Sequence, residues 1–152
     1  MGKILTAFII GILLLLLQGC NFNTLSAGSY PFAQKYEFNY PEIELIEAIR
    51  QFKKENPQYN VLDSSYLKDG QNDHWYDIYF FYPEEKEKLN TWTRAVNDSV
   101  TNFAFVAVYD GLRSNKWKEI NHEFSRKENE KHKRKFEERI VKKVLEICQR
   151  SR

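Results

Sequence analysis

The chain has 152 residues, with 23 Lys and Arg against 21 Asp and Glu and a formal net charge of +2. That length accommodates one domain, and the near balance of charge gives no support to a nucleic-acid partner, which needs a concentrated basic surface. Aromatic residues make up 15% of the chain, as nine Tyr, eleven Phe and three Trp, enough ring area either to stabilise the core of a small domain or to line a binding surface.

The N-terminus reads Met1-Gly2-Lys3 and then runs apolar from Ile4 to Leu17, with Thr6 as the polar interruption. A lone lysine ahead of an apolar run, with a small residue at its end, is the layout of a secretory signal peptide. The run falls short of the roughly 20 apolar residues a spanning helix needs, and no basic cluster follows it. It closes on Leu17-Gln18-Gly19-Cys20. That tetrapeptide resembles the lipobox of bacterial lipoproteins: aliphatic, variable, small, cysteine, with Gln18 the less usual choice at its position. The resemblance implies cleavage between Gly19 and Cys20, a diacylglyceryl thioether on Cys20, and acylation of the new amino group. Two or more acyl chains make a stable anchor, at about 0.8 kcal/mol per buried methylene. The first partner implied is therefore the membrane, through lipid on Cys20, in the cell envelope. Asn21 and the lack of an acidic run in "NFNTLSAG" resemble outer-membrane sorting signals, which implies a periplasm-facing position in a double-membraned bacterium. With Cys20 lipidated, Cys148 has no partner in the chain, so no intramolecular disulfide is expected.

Residues 20–35 read as the lipidated cysteine and a polar tether. A single domain follows over 36–152. "YPEIELIEAIRQFKKENP" is the clearest helix: Pro41 in the first turn, Glu42 and Glu44 at the positive end, Lys53 and Lys54 at the negative end, Asn56-Pro57 as the stop. Ile43, Ile46, Ile49 and Phe52, with Leu45, form its apolar face. "QYNVLD" has the look of a short strand. "SSYLKDGQND" is a turn-rich loop around Asp69-Gly70. "HWYDIYFFY" is the strongest strand. Tyr76, Ile78, Phe80 and Tyr82 make its core face, and Trp75, Asp77, Tyr79 and Phe81 its outer or interface side.

"PEEKEK" is expected as a charged hairpin loop. "LNTWTRAV" is a third strand and "NFAFVAVYD" a fourth, linked through "NDSVT" and closed by Asp110-Gly111. "NKWKEINHEF" places Trp117, Ile120 and Phe124 at helical spacing. Ser125 to Glu128 is a capping-box pattern that begins a further helix. In that helix "KENEKHKRK" is solvated, and Phe136, Ile140, Val144 and Ile147, with Val141, Leu145 and Cys148, form an apolar stripe. Cys148 reads as a buried small hydrophobe. The order predicts an α+β, two-layer domain: a mainly antiparallel sheet of about four strands, an N-terminal helix and a long C-terminal helix.

Motifs for chemistry are sparse. His74, His122 and His132 lack metal-ligand spacing, and His122 beside Glu123 on a helix would point away from it. Asp69, Asp73 and Asp77 do not make a calcium loop, since the glycine and the closing glutamate are missing. No G-x-S-x-G occurs, and once the signal leaves, Gly28, Gly70 and Gly111 are isolated. Glu42/Glu44, Glu84/Glu85 and Glu137/Glu138 lie at helix ends or in a charged loop, where solvation accounts for them. No cofactor, metal or nucleic acid is expected.

One feature points to binding. Trp75, Tyr79 and Phe81 share one strand face, and Trp92 and Arg94 share a face of the next. Exposed together, they would make the aromatic-plus-arginine surface typical of interface hot spots; with helices on both sheet faces they would be core. The leading expectation is an anchored, non-catalytic lipoprotein domain that binds one envelope or incoming protein, one version being an immunity-type protein. A small-ligand or cell-wall-glycan binder with aromatics lining a cleft is the alternative. A hydrolase built around His74 with Asp73 or Asp77 is the third.

Overall fold

The computed structural model describes residues 30–61, 67–68, 76–111 and 115–151. Strand β1 (Gln34–Phe38) leads into helix α1 (Glu42–Glu55) and a 3-10 turn (Pro57–Tyr59). Strands β2 (Leu67–Lys68), β3 (Tyr76–Tyr82), β4 (Glu87–Asn97), β5 (Val100–Asp110) and β6 (Lys116–Glu119) follow. The chain ends in α2 (Arg126–Phe136), a π turn (Glu137–Val141) and α3 (Lys142–Arg150), which run on as one long helix.

The sheet is antiparallel throughout, in the order β1-β5-β4-β3-β2. Strand β6 pairs with β5 at Ala107–Asp110, beyond the stretch that β1 occupies at Thr101–Phe105. The two short strands therefore share one edge of β5, end to end. The architecture is α+β, as the element order predicted, with six strands where about four were expected.

Side-chain alternation gives the sheet two unlike faces. One carries Tyr36, Phe38, Ile78, Phe80, Tyr82, Leu89, Phe103 and Phe105, and the helices pack on it to form a single core. Of the core face expected for β3, Ile78, Phe80 and Tyr82 are buried and Tyr76 is half-buried. Phe136 is the centre of this core. Its ring lies 4.6 Å from Phe105, 5.4 Å from Phe103, 5.6 Å from Tyr36 and 6.4 Å from Phe80, centroid to centroid.

Three threonines buried on the sheet reach polar partners, as buried hydroxyls must. Thr91 donates to the Ile78 carbonyl at 2.6 Å, Thr101 to the Tyr40 carbonyl at 2.8 Å, and Thr93 to the Glu42 carboxylate at 3.0 Å. The last two fix the start of α1 against the sheet. In α1 the buried apolar set is Leu45, Ile46, Ala48, Ile49 and Phe52, whereas Ile43 is 63% exposed; it lies on the wall of a surface groove between α1 and α3.

The C-terminal helix begins with the expected capping box. Ser125 Oγ accepts the Glu128 N–H, and Glu128 accepts the Ser125 N–H. Its apolar residues Phe136, Ile140, Val144 and Cys148 recur every fourth position. At about 100° per residue that spacing drifts about 40° at each step. The π turn inserts one residue into the helical path and rotates the stripe back. Val144, Ile147 and Cys148 thereby stay buried, while Leu145 lies at the margin.

Four local expectations are corrected. Leu67 and Lys68, read as part of a turn-rich loop, form β2 and pair with β3. Gln34 and Lys35 belong to β1, not to a tether. Pro57–Tyr59 is a 3-10 turn, not a strand, with Tyr59 stacked on Phe52 at 5.5 Å. Residues 116–119 form β6, not a helix, and His122 and Glu123 follow in a turn. Replacing Phe136 with Ala should cost about 3–5 kcal/mol, the range for aromatic truncation in a core, read as a lowered urea midpoint with unchanged slope.

Candidate functional site

The face of the sheet away from the helices is the candidate. Register places Asp77, Tyr79 and Phe81 of β3 beside Trp92, Asn90 and Lys88 of β4. Ala104, Ala107 and Tyr109 of β5 come next, then Trp117 and Glu119 of β6. The strand faces read from the sequence are thus one continuous surface, but the residues differ in access. Tyr79 and Phe81 are half-buried, Arg94 is exposed, and Trp92 is only 2% exposed. Trp92 therefore offers no ring face to a partner. Trp75 lies outside the described residues.

Among the described residues of this face, the most accessible aromatic is Trp117, which is 41% exposed. Between it and β3 stand Asn90 and Ala107, short side chains that leave room across two strands. The Tyr79 ring meets Trp117 at 6.0 Å, tilted by 54°, and the Tyr109 ring meets it at 5.4 Å, tilted by 46°. The Lys88 ammonium lies 6.0 Å from the Tyr109 centroid, at the limit of a cation–π contact. The Tyr109 hydroxyl bonds the Asn115 side chain, and Asn115 holds the left-handed conformation (φ 51°) that lets β6 turn back onto β5. Burial, then the nearby Asp77 carboxylate, pushes the Tyr79 phenol above its ordinary value, so it stays protonated and can donate.

Strand β3 is fixed from behind. Lys53 of α1 is 7% exposed and donates to the Tyr79 carbonyl at 2.6 Å. Among the described residues, β2 pairs with β3 at Tyr76 and Asp77, so on that edge this bond serves the next stretch of β3. Burial lowers the Lys53 pKa to about 8. Its ammonium also lies 4.8 Å from the Phe80 ring.

On the opposite side, the turn Pro83–Lys86 and the start of β4 meet the C-terminal helix through ions. Lys135 reaches Glu85 at 2.8 Å and Glu87 at 3.5 Å. Arg139 reaches Glu84 at 3.3 Å and Glu85 at 3.5 Å. Both cations also lie over the Tyr82 ring, at 5.0 and 5.1 Å. Both segments read as solvated charge in the sequence; they are partners. The two carboxylates nearest Lys135 respond oppositely. Glu85, at 29% side-chain exposure, is held below the ordinary carboxylate value because hydrogen bonding and charge from Lys135 and Arg139 together outweigh its burial. Glu87, at 12%, is raised, because burial outweighs the same cation. His132 lies 3.9 Å from Glu87, too far for a hydrogen bond. Burial, with help from Lys135 and Lys131, lowers its pKa to about 4, against weaker opposing pulls from Glu128 and Glu85. This cluster docks the helix onto the β3–β4 hairpin. It brings no nucleophile to a base.

A groove of about 590 Å³ runs between α1 and α3, lined by residues that include Ile43, Glu44, Glu47, Gln51, Ile147 and Ser151. Among the described residues that line it none is aromatic, unlike the ring-lined cleft that a glycan-binding reading anticipates. Cys148 forms part of its wall and is 4% exposed. Gly19, Cys20, Asp69, Asp73 and His74 lie outside the described residues. Among the described residues, no helix is long and apolar enough to cross a membrane. Comparison with protein-family models, with curated proteins and with solved structures finds no match.

The accessible part of the site was missed at Trp117 and Tyr109. Trp117, Ile120 and Phe124 fit helical spacing, which hid a four-residue strand. The available signal was Asp110-Gly111 with Asn115, turn formers on both sides of a short gap.

The titration of His132 has a consequence for stability. The unfolded chain takes up that proton near the ordinary value of 6.5, and the folded chain only near 4. Between those limits the unfolded state binds more protons, so stability rises with pH and is lost as pH falls. The raised Glu87 acts in the opposite sense. Urea midpoints compared between the natural chain and a His132→Gln variant should therefore converge from pH 7.5 to 4.5, with the variant showing the shallower fall. Parallel curves would show that His132 carries none of the slope.

Proposed function

We propose that this protein is a membrane-anchored lipoprotein of the bacterial cell envelope whose domain is a non-catalytic binding module for one protein partner. The anchor is read from Leu17-Gln18-Gly19-Cys20, and the binding surface from the sheet face opposite the helices. The observation that carries the binding reading is the cluster of Tyr79, Tyr109 and Trp117, with Trp117 41% exposed at its centre. Trp and Tyr dominate interface hot spots because they bury a large area at little entropic cost and keep a polar handle. The backbone under them is fixed by six-stranded pairing and by Lys53, so ordering the site on binding costs little.

A protein partner fits better than a sugar. Rings tilted 46° and 54° against each other offer edges and a notch, not the flat platform on which a pyranose stacks. In its immunity-type form the partner is a toxin arriving in the periplasm; that version rests on analogy with other small envelope lipoproteins.

Crosslinking and affinity purification of the lipidated protein from its own host should recover a single stoichiometric protein. Trp117→Ala should weaken its binding by roughly 30-fold or more, the loss of about 2 kcal/mol that marks a hot spot. Recovery at the natural level from both Trp117→Ala and Tyr109→Ala variants would remove this face from the reading. The anchor is tested apart from it: cells fed labelled palmitate should label the natural chain and leave Cys20→Ala unlabelled.

A further inference from the structure

Strand β6 and the tight turn after it bring three side chains together. Glu119 closes β6, and His122 and Glu123 follow in the turn. Their donor atoms all lie within 4.8 Å of one another. His122 Nδ1 is 3.2 Å from Glu119 Oε2. Two donors each about 2.0–2.2 Å from one ion, at tetrahedral or octahedral angles, stand roughly 3 Å apart, so this pair already has the separation that shared coordination demands.

The donors are held in place by groups that are not themselves donors. The Phe32 ring stacks on the imidazole at 4.2 Å and 4°, which fixes the ring plane and keeps Nδ1 directed at Glu119. The turn is tied to α2 through Asn129, 8% exposed, whose Oδ1 accepts the Asn121 N–H at 2.8 Å and whose Nδ2 donates to the Asn121 Oδ1 at 2.8 Å. Asn121 in turn donates to the Phe32 carbonyl at 3.0 Å. Glu123 uses one carboxylate oxygen to accept the Glu119 N–H at 2.7 Å, which leaves its other oxygen for a ligand.

We propose that Glu119, His122 and Glu123 form a surface site for one divalent transition cation of the zinc class. One imidazole nitrogen with two carboxylates suits zinc, cobalt or nickel; calcium and magnesium take oxygen ligands and gain nothing from the imidazole. Three protein donors leave a coordination position for water or for a side chain of another molecule. The site stands independently of the aromatic face, although Glu119 and Trp117 lie on one strand.

The test is calorimetric titration of zinc into the full-length chain in detergent micelles, purified without a histidine tag. One zinc per chain is expected. His122→Ala should weaken it at least tenfold, and Glu119→Gln and Glu123→Gln several-fold each. Cobalt(II) should give a visible absorption band that His122→Ala abolishes, and calcium at millimolar concentration should leave both signals unchanged. His122 is 53% exposed in its side chain, so the variants should keep the natural thermal unfolding curve in the absence of metal. No zinc bound, zinc bound equally by His122→Ala, or displacement by calcium would each overturn the proposal.

Discussion

The ring of Phe136 is where the sheet and the C-terminal helix meet, and most of the domain is arranged around it. It touches rings from β1, β3 and β5 at once. Those strands are not neighbours in sequence, and β1 joins the sheet only at its edge. A side chain that contacts all three makes the position of the edge strand depend on the helix. The helix depends on the same contact, since its first turns carry charge almost throughout and would not hold alone.

Around that apolar centre the polar groups act as fasteners. Thr93 and Thr101 hold the start of α1, Lys53 holds β3 at the Tyr79 carbonyl, and Lys135 and Arg139 hold the long helix to the β3–β4 hairpin. All of these lie on the helical side of the sheet. The strands of the outer face are thereby held from behind, and its short residues Asn90, Ala104 and Ala107 leave space that larger rings from β3, β5 and β6 span. The stiffness of the candidate face comes from the layer behind it.

How far the sequence alone reaches follows the physics of each element. Strand β3 was legible because Ile78, Phe80 and Tyr82 alternate with less buried neighbours over a full strand length. The capping box at Ser125 was legible because its hydrogen bonds are local. Strands β1 and β6 were not, since five and four residues give too few periods to separate alternation from helical spacing. The access of the candidate residues was least legible of all. Trp92 and Trp117 stand on the same face, yet one is buried and the other exposed, a difference set by tertiary neighbours. The ion pairs of Lys135 and Arg139 were hidden in the same way, because a run such as "KENEKHKRK" shows its charges and not what stands opposite them.

The π turn at Glu137–Val141 bears on how this chain can vary in length. It is one residue more than an unbroken helix between Phe136 and Lys142 requires. A helix elsewhere in the domain could not lose a residue without swinging every later side chain by about 100°. Here the loss would convert a wide turn into a regular one and leave Phe136 and Val144 facing the core. Within the C-terminal helix, this segment is therefore where loss of one residue meets the least resistance. A chain shorter by that one residue is compatible with the same core.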